Sequence, residues 1–288
     1  MGAVTEPFHV AARRRRIWHA VVAALLLVAV TFLAIFQRFG QNIDNLGMEA
    51  LMTRASGLSN SLSLLTHLVS TPSIVVVTVA VAAIAVIRRR AALAVRAVVL
   101  VVGANVTTQV LKYLLERPDL GVSFALENSY PSGHTTFAAA LGAALVMVVP
   151  KRFRSAAAIF GWAWISLMGL VVVSQGWHRP ADVIGAILVV AVWAYALAPI
   201  ELRGRPHPTV GRICAWALVV LGVALLVVAV WQVRGVLGRP LSWVQLQDLT
   251  DGTTAGFWFA GAAVALPSGL AAILMSSLDR FSSSRPNL

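Results

Sequence analysis

Three short stretches hold most of the reactive polar side chains of this sequence: KYLLERP (Lys112 to Pro118), YPSGH (Tyr130 to His134) and HRPAD (His178 to Asp182). In the last, His178 and Asp182 stand four residues apart with Pro180 between them. Proline favours the first turn of a helix. A helix that starts at Arg179 or Pro180 therefore sets Asp182 in its first turn, within reach of an imidazole N–H of His178. A carboxylate there orients the ring and makes it more basic, so that the imidazole attacks phosphorus or acts as a base. Taken alone, the motif fits equally well a carboxylate that only caps a helix. In the second stretch a proline and the hydroxyl of Ser132 precede Gly133, where a ligand approaches the backbone closely. Helix N-termini present free N–H groups and a positive dipole end, which suits a phosphate. Ser132 then caps the helix, Gly133 offers its amide, and His134 lies where it protonates a leaving oxygen. In the first stretch Lys112 either snorkels to the interface or points inward at a phosphate. Arg117 offers a planar pair of donors matched to phosphate oxygens.

The elements that position these residues are read from composition. A chain with 59% hydrophobic residues, 12% charged residues and a mean hydropathy of +0.82 is no soluble domain. A hydrocarbon core of about 30 Å needs about 20 helical residues. Eight apolar runs meet this: Ile17 to Phe36, Leu64 to Ile87, Ala91 to Leu115, His134 to Val149, Ser155 to Trp177, Pro180 to Pro199, Ile213 to Val233 and Thr254 to Met275. The first follows Arg13 to Arg16 as a signal peptide would, but it is too long for one and has no small-residue cleavage site after it. Backbone groups in lipid must be satisfied within the segment, so the spans are helices and the expected fold is all-α, a polytopic membrane helix bundle.

Loops rich in Lys and Arg stay in the cytoplasm. With eight spans, 16 of the 23 basic residues fall on one side, among them Arg13 to Arg16, Arg88 to Arg90, Lys151, Arg152, Arg154, Arg203, Arg205, Arg212 and Arg280. That side is expected to be cytoplasmic, with both termini, and the three motifs to face outward from the cell membrane. The net charge of +12 then reports topology and contact with anionic headgroups rather than nucleic-acid binding. The single cysteine, Cys214, forms no intramolecular disulfide. Residues 40–60 carry Leu46, Ala50 and Leu51 at helical spacing among polar residues, which fits an interfacial helix and an irregular loop equally.

Together the three blocks resemble the signatures of the type 2 phosphatidic acid phosphatase (PAP2) superfamily, over about Ile17 to Pro199. The resemblance implies a six-helix core at 17–200; outside it, the apolar runs and charges give a cytoplasmic basic tail at 1–16, two further spans with their connecting loops at 201–276 and a cytoplasmic tail at 277–288. It implies that His178 is a nucleophile forming a phosphohistidine, Asp182 its orienting partner and His134 the general acid, with Lys112, Ser132 and Gly133 at phosphate-binding positions. The sequence departs from the pattern twice. Seven residues on from Lys112 stands Asp119, and Arg117 with Pro118 comes two positions early. Where the third motif carries an arginine, this chain has Val172 or Gln175, and Arg179 is the candidate to replace it. The expected function is metal-independent removal of a phosphate or diphosphate from a membrane lipid, isoprenoid or phosphatidate-like. No Asp-x-Asp pair or His/Cys cluster calls for a metal or another cofactor. The alternatives are a transferase that moves a phospho-headgroup between lipids, and a silent lipid-phosphate binder or carrier.

Overall fold

The computed structural model describes residues 5–57, 89–122, 128–199 and 209–281, together with 76, 79, 80, 83 and 87. Among the described residues there is no strand, and nine α-helices follow one another. They are α1 (Thr5–Phe36), α2 (Arg38–Arg54), α3 (Ala91–Leu114), α4 (Gly133–Val148), α5 (Arg154–Ser174), α6 (Pro180–Leu197), α7 (Thr209–Val233), α8 (Trp243–Thr250) and α9 (Thr254–Phe281). Six segments, within α1, α3, α5, α6, α7 and α9, are long and apolar enough to cross a membrane, and α4 is apolar but shorter. The fold is the expected all-α bundle. The expected span from Leu64 to Ile87 lies almost wholly outside the described residues.

Helix α4 sits at the centre, packed against α3, α5, α6 and α9. Its 16 residues extend about 24 Å, less than a hydrocarbon core of about 30 Å. The shortfall is tolerated because α4 is sheathed by other helices, with Phe137 to Ala140 and Val146 to Val148 all buried. Small side chains bring the backbones close, and a Cβ on Gly142 would stand 3.2 Å from the Cα of Gly161 on α5.

Residues 38–54 form a helix, not an irregular loop. Helix α2 is inserted into the bundle against α1, α5, α6, α8 and α9, and Gln41, Asn42, Asp44, Asn45 and Glu49 are buried with Leu46, Ala50 and Leu51. Buried amides must find partners, and here they find carbonyls at the end of α1 and in loops. Gln41 Nε2 donates to the carbonyls of Ile35 (2.7 Å) and Pro118 (3.1 Å), Asn42 Nδ2 to Leu237 (2.7 Å) and Arg239 (2.9 Å), and Asn45 Nδ2 to Val122 (2.6 Å). At its far end Arg54 donates to the carbonyls of Thr250 (3.1 Å) and Thr253 (2.9 Å), just before α9. Helix α9 packs in turn on α7, α5, α2, α6 and α4, so the last span belongs to the core although the sequence resemblance stops before it.

Candidate active site

The three motifs meet at one end of the bundle, where α3 and α5 finish and α4 and α6 begin. Helix α5 ends at Ser174, and Gly176 at φ +68° lets the chain turn back. The carbonyl of Val172 then accepts from the amides of Trp177 and His178, both at 3.1 Å, which fixes His178 at the entry to α6. Pro180 opens α6, and Asp182 lies in its first turn.

Asp182 is fully buried, and its Oδ2 accepts three hydrogen bonds: from His178 Nδ1 (3.1 Å), from the hydroxyl of Ser129 (2.6 Å) and from the amide of Arg179 (3.0 Å). Three donors on one oxygen suit an ionised carboxylate, which only accepts. With Nδ1–H given to Asp182, the Nε2 of His178 keeps its lone pair. The ring of His134 faces it, with centroids 6.4 Å apart, and also meets Trp177 at 5.9 Å.

The second motif is laced to the third. The amide of Ser132 donates to the carbonyl of Asp182 (3.0 Å), while its hydroxyl caps α4 by accepting from the amide of Thr135 (3.3 Å). Gly133 opens α4, and a Cβ there would meet only Gln109 Nε2 at 3.9 Å, so space is open beside the helix start. The buried ring of Tyr130 ties the motif to α1, its hydroxyl accepting from Thr31 Oγ1 (2.8 Å).

The cations differ from one another. Lys112 is half-buried within electrostatic reach of Asp182 and His134. Arg179 is 4% exposed and donates from Nε to Asn45 Oδ1 (2.6 Å) and from Nη1 to Ser129 Oγ (3.2 Å), so it ties the third motif to α2. Arg117 is 8% exposed, yet none of its three guanidinium nitrogens has a hydrogen-bond partner. Burial and the neighbouring Arg179 pull its pKa down, with Asp44 and Asp182 opposing. A buried donor without a partner costs about 1–3 kcal/mol, more when charged. An anion would satisfy this one. Of the residues where the pattern departs, Asp119 closes a local turn by accepting from the amide of Gly121 (2.8 Å), and the Val172 side chain lies in the core.

Ser129, Asp44 and Asn45 are the site residues that sequence reasoning missed. Asp44 Oδ1 accepts from the amide of Ala181 (2.8 Å) in the first turn of α6, and its Oδ2 has no partner. Burial, followed by the charge of Asp182, pushes its pKa up to about 7, against the opposing pull of Arg117, Arg179 and the Ala181 amide. A carboxyl raised in this way is protonated in the folded protein at a pH where the unfolded chain has lost the proton. Its contribution to stability is therefore complete below about pH 4, near the unfolded carboxyl value, and is lost as pH rises through about 7. Asp44→Asn keeps an acceptor for the Ala181 amide and removes the titration. Its Tm relative to wild type should rise between pH 5 and 8, and a constant difference over this range would show that Asp44 ionises at an ordinary pKa.

A family model described as the PAP2 superfamily matches residues 93–206. The match is to 114 of the 288 residues, the stretch that holds all three motifs. Comparison with curated proteins and with solved structures returned no match. The PAP2 match covers Lys112, Arg117, the YPSGH segment, His178 and Asp182, and it brings with it phosphatase-type activity on phosphate esters. It leaves out α1, α2 and α7 to α9, and with them Asp44 and Asn45, which contact the third PAP2 motif from outside.

Proposed function

We propose that the protein hydrolyses a phosphate or diphosphate group from a membrane lipid through a phosphohistidine intermediate, without a metal ion. The observation that carries this reading is the buried, unpartnered guanidinium of Arg117 in the same site as the His178–Asp182 pair. The Nε2 lone pair of His178 attacks phosphorus and the bond to the lipid oxygen breaks. His134 gives its proton to that leaving oxygen. Water then attacks the phosphohistidine, His134 takes a proton back, and phosphate leaves with the His178 ring restored. Lys112, Arg117, the Ser132 hydroxyl and the Gly133 amide hold the phosphoryl oxygens, and Asp182 keeps the His178 ring in its tautomer. Arg179 supports the same cage, through Ser129 and Asn45 in addition to its own charge.

A lipid is the fitting substrate because the site lies at the ends of helices of membrane length, where a headgroup arrives laterally while its tails remain in the bilayer. The distribution of basic residues supports a site on the extracytoplasmic face of the cell membrane, with both termini in the cytoplasm. Purified protein in detergent should release phosphate from at least one of an isoprenoid diphosphate, an isoprenoid phosphate and a phosphatidate, at a rate that excess chelator leaves unchanged. Tight binding with no release from any of them would leave a lipid-phosphate binder, and turnover only with a second lipid as acceptor would make the protein a transferase. For orientation, Arg239→Cys in a Cys214→Ser background should react with an impermeant thiol reagent in intact cells and Arg152→Cys should not, both positions being exposed and at opposite ends of the bundle. The reverse pattern would place the site in the cytoplasm.

A further inference from the structure

Asp44 stands at the phosphate site without a part in the chemistry described above. Helix α2 carries it, outside the stretch that the family model matches. Its two oxygens differ. Oδ1 accepts from the amide of Ala181 (2.8 Å), one residue before Asp182, and so ties α2 to the helix start that presents the third motif. Oδ2 is buried and has no partner. A carboxylate oxygen left in the interior without a donor is costly, and burial favours the protonated form.

The charged groups that face Asp44 are Asp182 and Arg179 from α6 and Arg117 from the segment after α3. The other elements packed on α2 bring no charge this close. In α1, α5 and α9 the nearest ionisable residues are His19, Arg154 and Asp279, each about 24 Å or more along its helix from Ile35, Ser174 and Ala263 at the end of the bundle that holds the site. At the end of α8, Asp251 acts on Glu49, which hydrogen-bonds Gln247 and Thr53. Arg117 and Asp44 are thus close enough to feel each other, yet they share no hydrogen bond, and the guanidinium has no other partner.

Such a pair has two settled states. With Asp44 ionised, its charge answers that of Arg117 in the empty site. With Asp44 neutral, Arg117 is left to an incoming anion. A carboxyl pKa of about 7 keeps both states within easy reach. An anion beside Arg117 tips the balance toward the second, because it repels a carboxylate and engages the positive charge that holds the proton off. We propose that Asp44 Oδ2 takes a proton from solvent when a phosphate-bearing headgroup occupies the space beside Arg117, and returns it when phosphate leaves. Asp44 is then a positioning residue that acts through Arg117. The proposal rests on the reading of Arg117 as a phosphate ligand.

Inorganic sulfate is the probe, a tetrahedral dianion whose charge stays constant from pH 6 to 8. For full-length protein in detergent, the Kd of the wild type should rise about tenfold more over this range than that of Asp44→Asn, the ratio that one linked proton with a pKa of about 7 in the free site gives. The two proteins should bind alike at pH 6, and the variant more tightly at pH 8. His134 and His178 titrate in both and drop out of the comparison. Equal pH dependence, or weaker binding by the variant at both pH values, would overturn the proposal and leave Arg117 as an anion ligand. Binding by neither protein at pH 6 would remove the phosphate site itself, and the proposal with it. Should the variant fail to fold, the infrared difference spectrum of the wild type on adding sulfate at pH 8 decides. It should gain the C=O band of a protonated carboxyl, which no histidine gives, and absence of that band would overturn the proposal.

Discussion

His178→Ala should lose at least about 10⁴-fold in kcat, the scale seen when a nucleophile that works with its base is removed, while the protein assembles normally. The ring supplies one of three donors to Asp182 Oδ2, and the Ser129 hydroxyl and Arg179 amide remain to satisfy that buried oxygen. The variant therefore loses the nucleophile without stranding the carboxylate. The check is twofold: phosphate release, and trapping of a labelled phosphoenzyme by alkaline quench, since a phosphoramidate survives base. Wild type should yield the labelled species and the variant none. Phosphate release by the variant at the wild-type rate would remove His178 from the chemistry.

Arg117→Ala should lower kcat/KM about 10³-fold, near the upper end for removal of one preorganised donor to developing charge. What distinguishes this arginine from an ordinary buried one is the expected effect on stability. Its guanidinium is desolvated with no hydrogen bond in return, so alanine should leave Tm unchanged or raise it. Arg179→Ala should instead lower Tm, because its donors hold Asn45 and Ser129 in place. Arg117→Lys should recover only part of the rate, since a point charge does not reproduce the guanidinium fork. Full activity in Arg117→Ala would mean that Lys112 and the amides at the start of α4 hold the phosphate without it.

Six of the eight expected spans, and the motif helices, were legible in the sequence because apolar run length and proline position are local signals. Pro180 and Ser132 mark the starts of α6 and α4, and the structure has a helix at both. The His178–Asp182 contact follows from the same local rule, a spacing of four residues across a helix start. Helix α2 was not legible, because its polar residues read as solvated. They are buried only because their partners, such as Val122, Leu237 and Arg239, arrive from distant parts of the chain. The same holds for Ser129, which precedes a recognisable motif yet owes its place to Asp182, 53 residues further on. No periodicity encodes such pairings.

The dependence of α2 on late partners bears on how the protein is made. A helix carrying Gln41, Asn42, Asp44, Asn45 and Glu49 cannot rest in lipid by itself, since each side chain would enter hydrocarbon unsatisfied. It settles when the carbonyls of Leu237, Arg239, Thr250 and Thr253 and the face of α9 are present, and these carbonyls lie 195 to 199 residues further along the chain than the side chains they receive. Asp44 and Asn45, which brace the start of α6 and Arg179, thus stand on a helix that is translated long before part of its surroundings. A nascent chain halted after residue 206 would hold every motif residue and the partners of Asp44 and Asn45, but would lack the carbonyls that take up Asn42 and Arg54 and the face of α9, so the helix that braces the site is fully seated only once α9 has been made.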